Sequence, residues 1–301
     1  MQLLSIGIIE PVEGLEDRLK LEFDILKDEG LEITLKKFSK STTIYYYCYV
    51  DDDILLKGNY EDLRKMFFHC VANALSDIII NFWEPKLIKK IIKDNYFYFD
   101  ANEQNRIYEF AADILNFNET CGKQNLFYQI KRKTFVLHKI IDYLKTSSTI
   151  ILDGFINFRL KAYIDQLEEA VDKAIDEYLM DKEYREFIKL LRYFVDLQEP
   201  KKDLVNVVLR GGEFYLLDDK MNLIEKDEGM DMIARENPDV NPDDILVSTL
   251  INMAPKKIVI HGFKGREKVE VINALYNIFE GRITFCTNCE ICIELKPLKT
   301  K

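Results

Sequence analysis

Residues 160–200 read LKAYIDQLEEAVDKAIDEYLMDKEYREFIKLLRYFVDLQEP, and this stretch decides the fold class. Leu160, Ile164, Leu167, Val171, Ala174, Ile175 and Tyr178 recur at spacings of three and four, one stripe of an α-helix. Tyr184, Phe187, Leu191, Phe194 and Val195 form a second stripe, with a kink or turn expected at Met180–Lys182. Aromatic residues in such stripes belong in a core rather than a cofactor pocket. Pro200 closes the run, because proline lacks a backbone donor and pushes the preceding residue out of helical geometry.

Toward the N-terminus the helical period persists to about Tyr60. Leu63, Phe67, Cys70, Val71, Ala74, Leu75 and Ile78 share a face, Pro85 interrupts, and Lys86–Asp94, Glu103–Phe117 and Leu126–Leu144 supply further helices. The Thr146–Thr149 cluster separates these from the long pair. Residues 1–58 read differently, as a small β-α-β-β unit. Leu3–Ile9 is a strand, Val12–Glu29 a helix stopped by Gly30, and Leu31–Phe38 with Ile44–Val50 a hairpin.

Beyond Pro200 the period changes again. Leu204–Arg210 and Glu213–Leu217 flank Gly211–Gly212 as a hairpin, and Asp218–Asn222 is a second turn. Asn241-Pro242-Asp243-Asp244 opens a helix with a capping side chain, an N-terminal proline and acids at its positive end. Lys257–Ile260 is a strand, Arg266–Glu280 a helix, and Ile283–Cys286 with Ile291–Leu295 a closing hairpin. The expected fold is α+β, a mostly helical central bundle flanked by N-terminal and C-terminal sheet-containing portions. The regions are 1–58, a helical 59–200, and an α/β region 201–301 with the cysteine-rich hairpin at its end.

Composition narrows the class. With 48% hydrophobic and 31% charged residues the chain is globular rather than disordered. A net charge of −10 opposes binding of nucleic acid or anionic lipid by the chain as a whole. No basic segment precedes the apolar start, so no secretory signal is expected, and Ile44–Val50 and Ile78–Trp83 are too short to span a bilayer. Cys48, Cys70 and Cys121 stand singly in apolar patterns, as reduced thiols do in a cytoplasmic protein.

The string DGFINFRLKAYIDQLEEAVDKAIDEYLMDKEYREFIKLLRYFVDLQEP, residues 153–200, resembles the YtxC family associated with sporulation. The likeness continues through the segment beginning at Leu204 and through Leu250–Phe279, with its APKKIVIHG and NALYNIFEGR runs. It implies a cytosolic protein of spore-forming bacteria. It implies no enzyme activity and carries no catalytic residues over.

Cys286-x-x-Cys289-x-x-Cys292 is the sharpest chemical signal. Thiolates spaced by two residues converge on one soft metal, and a tetrahedral zinc needs a fourth ligand, which His261 at a strand end could supply. The same spacing opens a bacterial iron–sulfur run, but no fourth cysteine follows. On the hairpin reading Cys286 shares a face with Thr284 and Cys292 with Glu294, away from the apolar stripe; the plain alternative is three reduced cysteines filling small spaces. His261-Gly262-Phe263-Lys264-Gly265-Arg266 could hold an anion with Lys268, but lacks the Walker spacing and reads as an ordinary turn. Lys86, Lys89, Lys90 and Lys93, with Lys123, Lys131, Arg132, Lys133, Lys139 and Lys145, make basic helices able to meet nucleic acid or the acids of Asp165–Glu186.

His69 and His138 lie in helical patterns without a metalloprotease motif, and no catalytic residue is assigned. The expected role is a cytoplasmic, non-catalytic one, binding another macromolecule, a protein before a nucleic acid. The rivals are a zinc or iron–sulfur redox or sensor protein and a nucleic-acid binder using the basic helices.

Overall fold

The computed structural model describes residues 1–51, 60–118, 123–124, 126–211, 213–224, 241–263, 268–286 and 289–294. The chain is α+β and divides into two compact units, Met1–Leu179 and Met180–Lys301. The first takes in all of region 1–58 and most of region 59–200, because their apolar residues share one core.

In the first unit β1 (Gln2–Ile8), α1 (Leu15–Asp28), β2 (Ile33–Lys40) and β3 (Thr43–Val50) follow one another as the periodicity predicts. Gly30 leaves α1 with φ +89°, a conformation open to glycine without steric cost. β3 pairs antiparallel with both β1 and β2. Leu4, Ile6 and Ile8 share a sheet face with Tyr46, Cys48 and Val50, all buried in the helical core. The sequence gives a break at Thr146–Thr149. The structure instead uses β6 (Thr149–Ile151) as a fourth strand parallel to β1, after the two-residue pair β4 (Phe117–Asn118) and β5 (Lys123–Gln124). Three residues are too few to show a strand period, and their partner lies far back in the chain.

α2 (Tyr60–Ile78) packs against α1 and against α5 (Leu126–Leu144). Arg18 and Lys133 both reach Asp77, at 2.8 Å and 2.5 Å, tying the three helices together. Pro85 does not break the chain: a π-helical turn, Ile79–Trp83, leads into α3 (Glu84–Asn95), whose first turn accommodates the missing donor. α4 (Ala101–Asn116) precedes the short strand pair, and α6 (Leu152–Arg159) follows β6. Among the described residues one helix, Glu61–Asn95, is long and apolar enough to cross a membrane; 61% of its most apolar window is buried in the protein, as in a core helix.

The expected kink at Met180–Lys182 is absent, and α7 runs unbroken over Lys161–Leu197. No glycine or proline lies there, and Arg185 pairs with Asp181 one turn back at 2.9 Å. Leu167, Val171 and Ala174 belong to the first core, Ile188 and Val195 to the second.

The second unit contains a mixed sheet in the spatial order Ile283–Cys286 (β10), Lys257–His261 (β9), Leu204–Arg210 (β7) and Glu213–Leu217 (β8). β7 (Leu204–Arg210) and β8 (Glu213–Leu217) form the expected hairpin. α8 (Pro242–Met253) starts as read: the Asn241 side chain accepts from the Asp243 amide at 3.1 Å. β9 (Lys257–His261) lies parallel to β7, and after α9 (Val269–Ile278) the strand β10 (Ile283–Cys286) lies parallel to β9. The closing hairpin is therefore corrected. Residues Glu290–Glu294 are a short helix, α10, not a strand. A crossover helix returns the chain parallel to β9, so β10 needs no hairpin partner, and the brief alternation after it was no evidence of strand.

Candidate metal centre

Parallel pairing sets His261 directly beside Cys286, each the last residue of its strand. Gly262, at φ +76°, turns the chain away after His261. In α10 the Ile293 amide donates to the Cys289 carbonyl at 2.9 Å, so Cys289 and Cys292 stand one turn apart and present their sulfurs on the same side. His261 Nδ1 lies 3.2 Å from Cys289 Sγ and 3.6 Å from Cys292 Sγ. The four ligand atoms of His261, Cys286, Cys289 and Cys292 all fall within 4.8 Å of one another. The four residues singled out in the sequence are brought together, although the hairpin invoked to do it does not form.

The hydrogen-bond network behind the imidazole fixes its tautomer. Asn206 on β7 is buried and its Nδ2 donates to the Asp218 carbonyl at 2.9 Å, which leaves Oδ1 as the atom facing His261. That oxygen sits 3.1 Å from Nε2 and can only accept, so Nε2 carries the proton. Nδ1 then presents a lone pair to the sulfurs. Asp218 is held in turn by accepting from the Lys220 and Asn222 amides, at 2.9 Å and 2.8 Å, and these bonds lower its carboxyl below the usual range. Asn206 was not singled out in the sequence. Its signal was a lone amide inside the apolar strand LVNVVLR, where a buried polar group needs a specific partner.

Burial lowers the His261 pKa, which keeps the imidazole neutral as a metal requires. Burial also raises the Cys292 thiol, so an ion bound there would have to displace its proton. The Cys292 amide lies 3.4 Å from Cys289 Sγ, a donor aimed at sulfur. A tetrahedral zinc with bonds of about 2.3 Å to sulfur and about 2.0 Å to nitrogen sets its sulfur and nitrogen ligands about 3.5 Å apart. The two measured separations bracket that figure.

Other sequence candidates part company. Lys264, Gly265 and Arg266 of the anion loop lie outside the described residues, as does Cys121. Lys268 is engaged with both oxygens of Asp243, at 2.8 Å and 2.9 Å. Burial pushes Cys48 up to about 12 and Cys70 up to about 11, the behaviour of inert core thiols. The basic helices are not a uniform surface. Lys133 pairs with Asp77, Lys145 with Asp142, Lys86 with Glu10, and Arg132 is buried. Arg132 holds Glu84 by two nitrogens, each at 3.0 Å, and Tyr163 donates to the same carboxylate. Burial, then Glu84, raises the Tyr163 pKa and keeps that phenol protonated.

The model of the YtxC-like family matches residues 69–284. The chain is 27% identical over 238 residues to the uncharacterized protein YtxC of Bacillus subtilis (strain 168), covering 74% of this chain and 82% of that protein. No solved structure matches. His261 lies inside the matched stretch, and the three cysteines lie just past its end.

Proposed function

This chain belongs to the YtxC-like family, and on that premise we propose that it is a cytosolic, sporulation-associated, non-catalytic binding protein whose C-terminal unit is fastened by one zinc ion. The observation that supports the zinc is the meeting of three sulfurs with an imidazole nitrogen whose tautomer Asn206 dictates. Four protein ligands leave no position for water or substrate, which is how structural zinc differs from catalytic zinc. The ion would pin α10, far too short to hold itself together, onto the ends of β9 and β10. An iron–sulfur cluster fits less well. It spreads its thiolates over several irons, whereas these four atoms are close enough to share one ion.

Elemental analysis after anaerobic purification tests the reading. One zinc per chain is expected in the native protein, and Cys289→Ser is expected to retain less than a tenth of it. Native protein without stoichiometric zinc ends the proposal. Deleting the gene tests the process separately: a deletion strain that forms spores normally removes the sporulation role and leaves the metal centre standing.

A further inference from the structure

The sheet of the first unit has a second face, turned away from the helical core. Strand register places Tyr45, Tyr47 and Tyr49 of β3 along its middle. Beside them stand Thr34, Lys36, Phe38 and Lys40 of β2, Ser5 and Gly7 of β1, and Ile151 of β6. The tyrosines are half-buried, Ser5 between β3 and β6 is buried, and Phe38 is 56% exposed. Tyr45 leans across β1, where a Cβ on Gly7 would come within 3.2 Å of its ring. Lys36 Nζ lies 5.3 Å from the centre of the Tyr49 ring.

We infer that this face is a binding platform for single-stranded nucleic acid. Charge supports it. The four strands contain no aspartate or glutamate, in a chain with 52 of them and a net charge of −10. Lys37 points to the other face, 3.8 Å from Glu16, while Lys36 and Lys40 have no carboxylate partner among the described residues. Open sheets that hold single strands stack bases on aromatic rings and meet the backbone with cations, independently of sequence. Spacing selects the single strand over the duplex. The ring centres of Tyr45, Tyr47 and Tyr49 are 6.0 Å and 6.4 Å apart. Bases stacked in a duplex rise by about 3.4 Å and offer no free faces between them. A strand lying along this row must be unstacked, each base resting on its own ring. The surface differs from the basic helices, where Lys86, Arg132, Lys133 and Lys145 are paired with carboxylates of the protein.

The test is fluorescence anisotropy of the full chain with labelled eight-nucleotide oligouridylate and oligothymidylate at low salt. Binding is expected to weaken about tenfold for each of Tyr45→Thr and Tyr47→Thr, changes that keep a strand-forming residue but remove the ring. Tyr47→Phe is expected to bind like the native chain. With Lys36 and Lys40 each meeting one phosphate, log affinity should fall against log salt with a slope of about −1.4. The double change Lys36→Gln, Lys40→Gln should flatten that slope, and it leaves the aromatic row in place should a tyrosine variant fail to fold. No binding at low salt, equal affinity for a duplex of the same length, equally good displacement by inorganic polyphosphate, or an unaltered slope in the lysine variant overturns the inference.

Discussion

In the first unit Arg132 grips Glu84 with two nitrogens, reaches the Leu115 carbonyl and Asn116 Oδ1 with the rest of its fork, and Tyr163 donates to the same carboxylate. In the second unit His261 Nδ1 lies within 3.6 Å of both Cys289 Sγ and Cys292 Sγ, with Asn206 behind the ring. The first is buried, the second is partly so with His261 and Cys292 buried, and both join residues far apart in sequence. They differ in the balance of donors and acceptors. Around Glu84 a carboxylate meets a guanidinium and a phenol, so charge and hydrogen bonds close within the protein. Around His261 a nitrogen lone pair and sulfurs converge, and once the thiols lose their protons nothing in that set is a cation. The first arrangement is complete as built, whereas the second, on the zinc reading proposed above, is completed by an ion.

The sharpest way to break this comparison is to take away the zinc proposed above. Chelation under reducing conditions is expected to raise hydrogen exchange strongly at Ile258–His261, Ile283–Cys286 and Cys289–Cys292 while leaving Leu4–Ile8 and Phe67–Ile78 unaffected. Structural zinc contributes about 10–16 kcal/mol of apparent binding energy in small peptides, and less where a sheet already stands behind the ligands. Unchanged exchange around His261 would make the two constellations alike, both closed without a metal.

A smaller effect is expected from opening the other constellation. Arg132→Met strands the Glu84 carboxylate in the core and should cost about 3–5 kcal/mol in denaturant unfolding. Adding Glu84→Gln should recover part of that loss, because the charge left behind is then gone. Zinc content should stay the same in both variants. A cost below about 1 kcal/mol for Arg132→Met would show that the pair is not a closed structural unit.

How much of this was legible beforehand depends on the range of the signal. The helices of region 59–200 and the hairpin of β2 and β3 announce themselves by local period, and they form. The meeting of His261 with the three cysteines was legible too, since two-residue spacing of thiols is a chemical pattern that survives an error in secondary structure. Readings that needed a distant partner failed, and so did the local kink expected at Met180–Lys182. β6 exists because Ile150 sits beside Ile6, and β10 is parallel because β9 is waiting for it. The segment Glu290–Glu294 alternates like a strand but is too short for period to decide. Arg132 looked like one more surface cation because nothing near it in sequence reveals Glu84, 48 residues away. The row of tyrosines in β3 was read as strand-forming residues only; its open face emerges from the register of its neighbours.

Asn206 gives the finest discrimination between the two constellations, because it stands behind the imidazole and is not one of the four candidate ligands. Replacing it by leucine removes the acceptor for His261 Nε2 and the donor to the Asp218 carbonyl, while keeping the bulk inside β7. The imidazole is then free to hold its proton on Nδ1, the wrong nitrogen for a ligand. Loss of such a partner weakens metal binding about 10–100-fold, a cost of about 1.4–2.7 kcal/mol. Asn206→Asp again offers an oxygen to Nε2 and should bind more tightly than Asn206→Leu, although its carboxylate cannot donate to Asp218. Competition with a chromophoric chelator at fixed pH reads all three affinities. Equal values for the native chain and Asn206→Leu would mean that His261 does not bind through Nδ1, and the fourth ligand would have to be sought elsewhere.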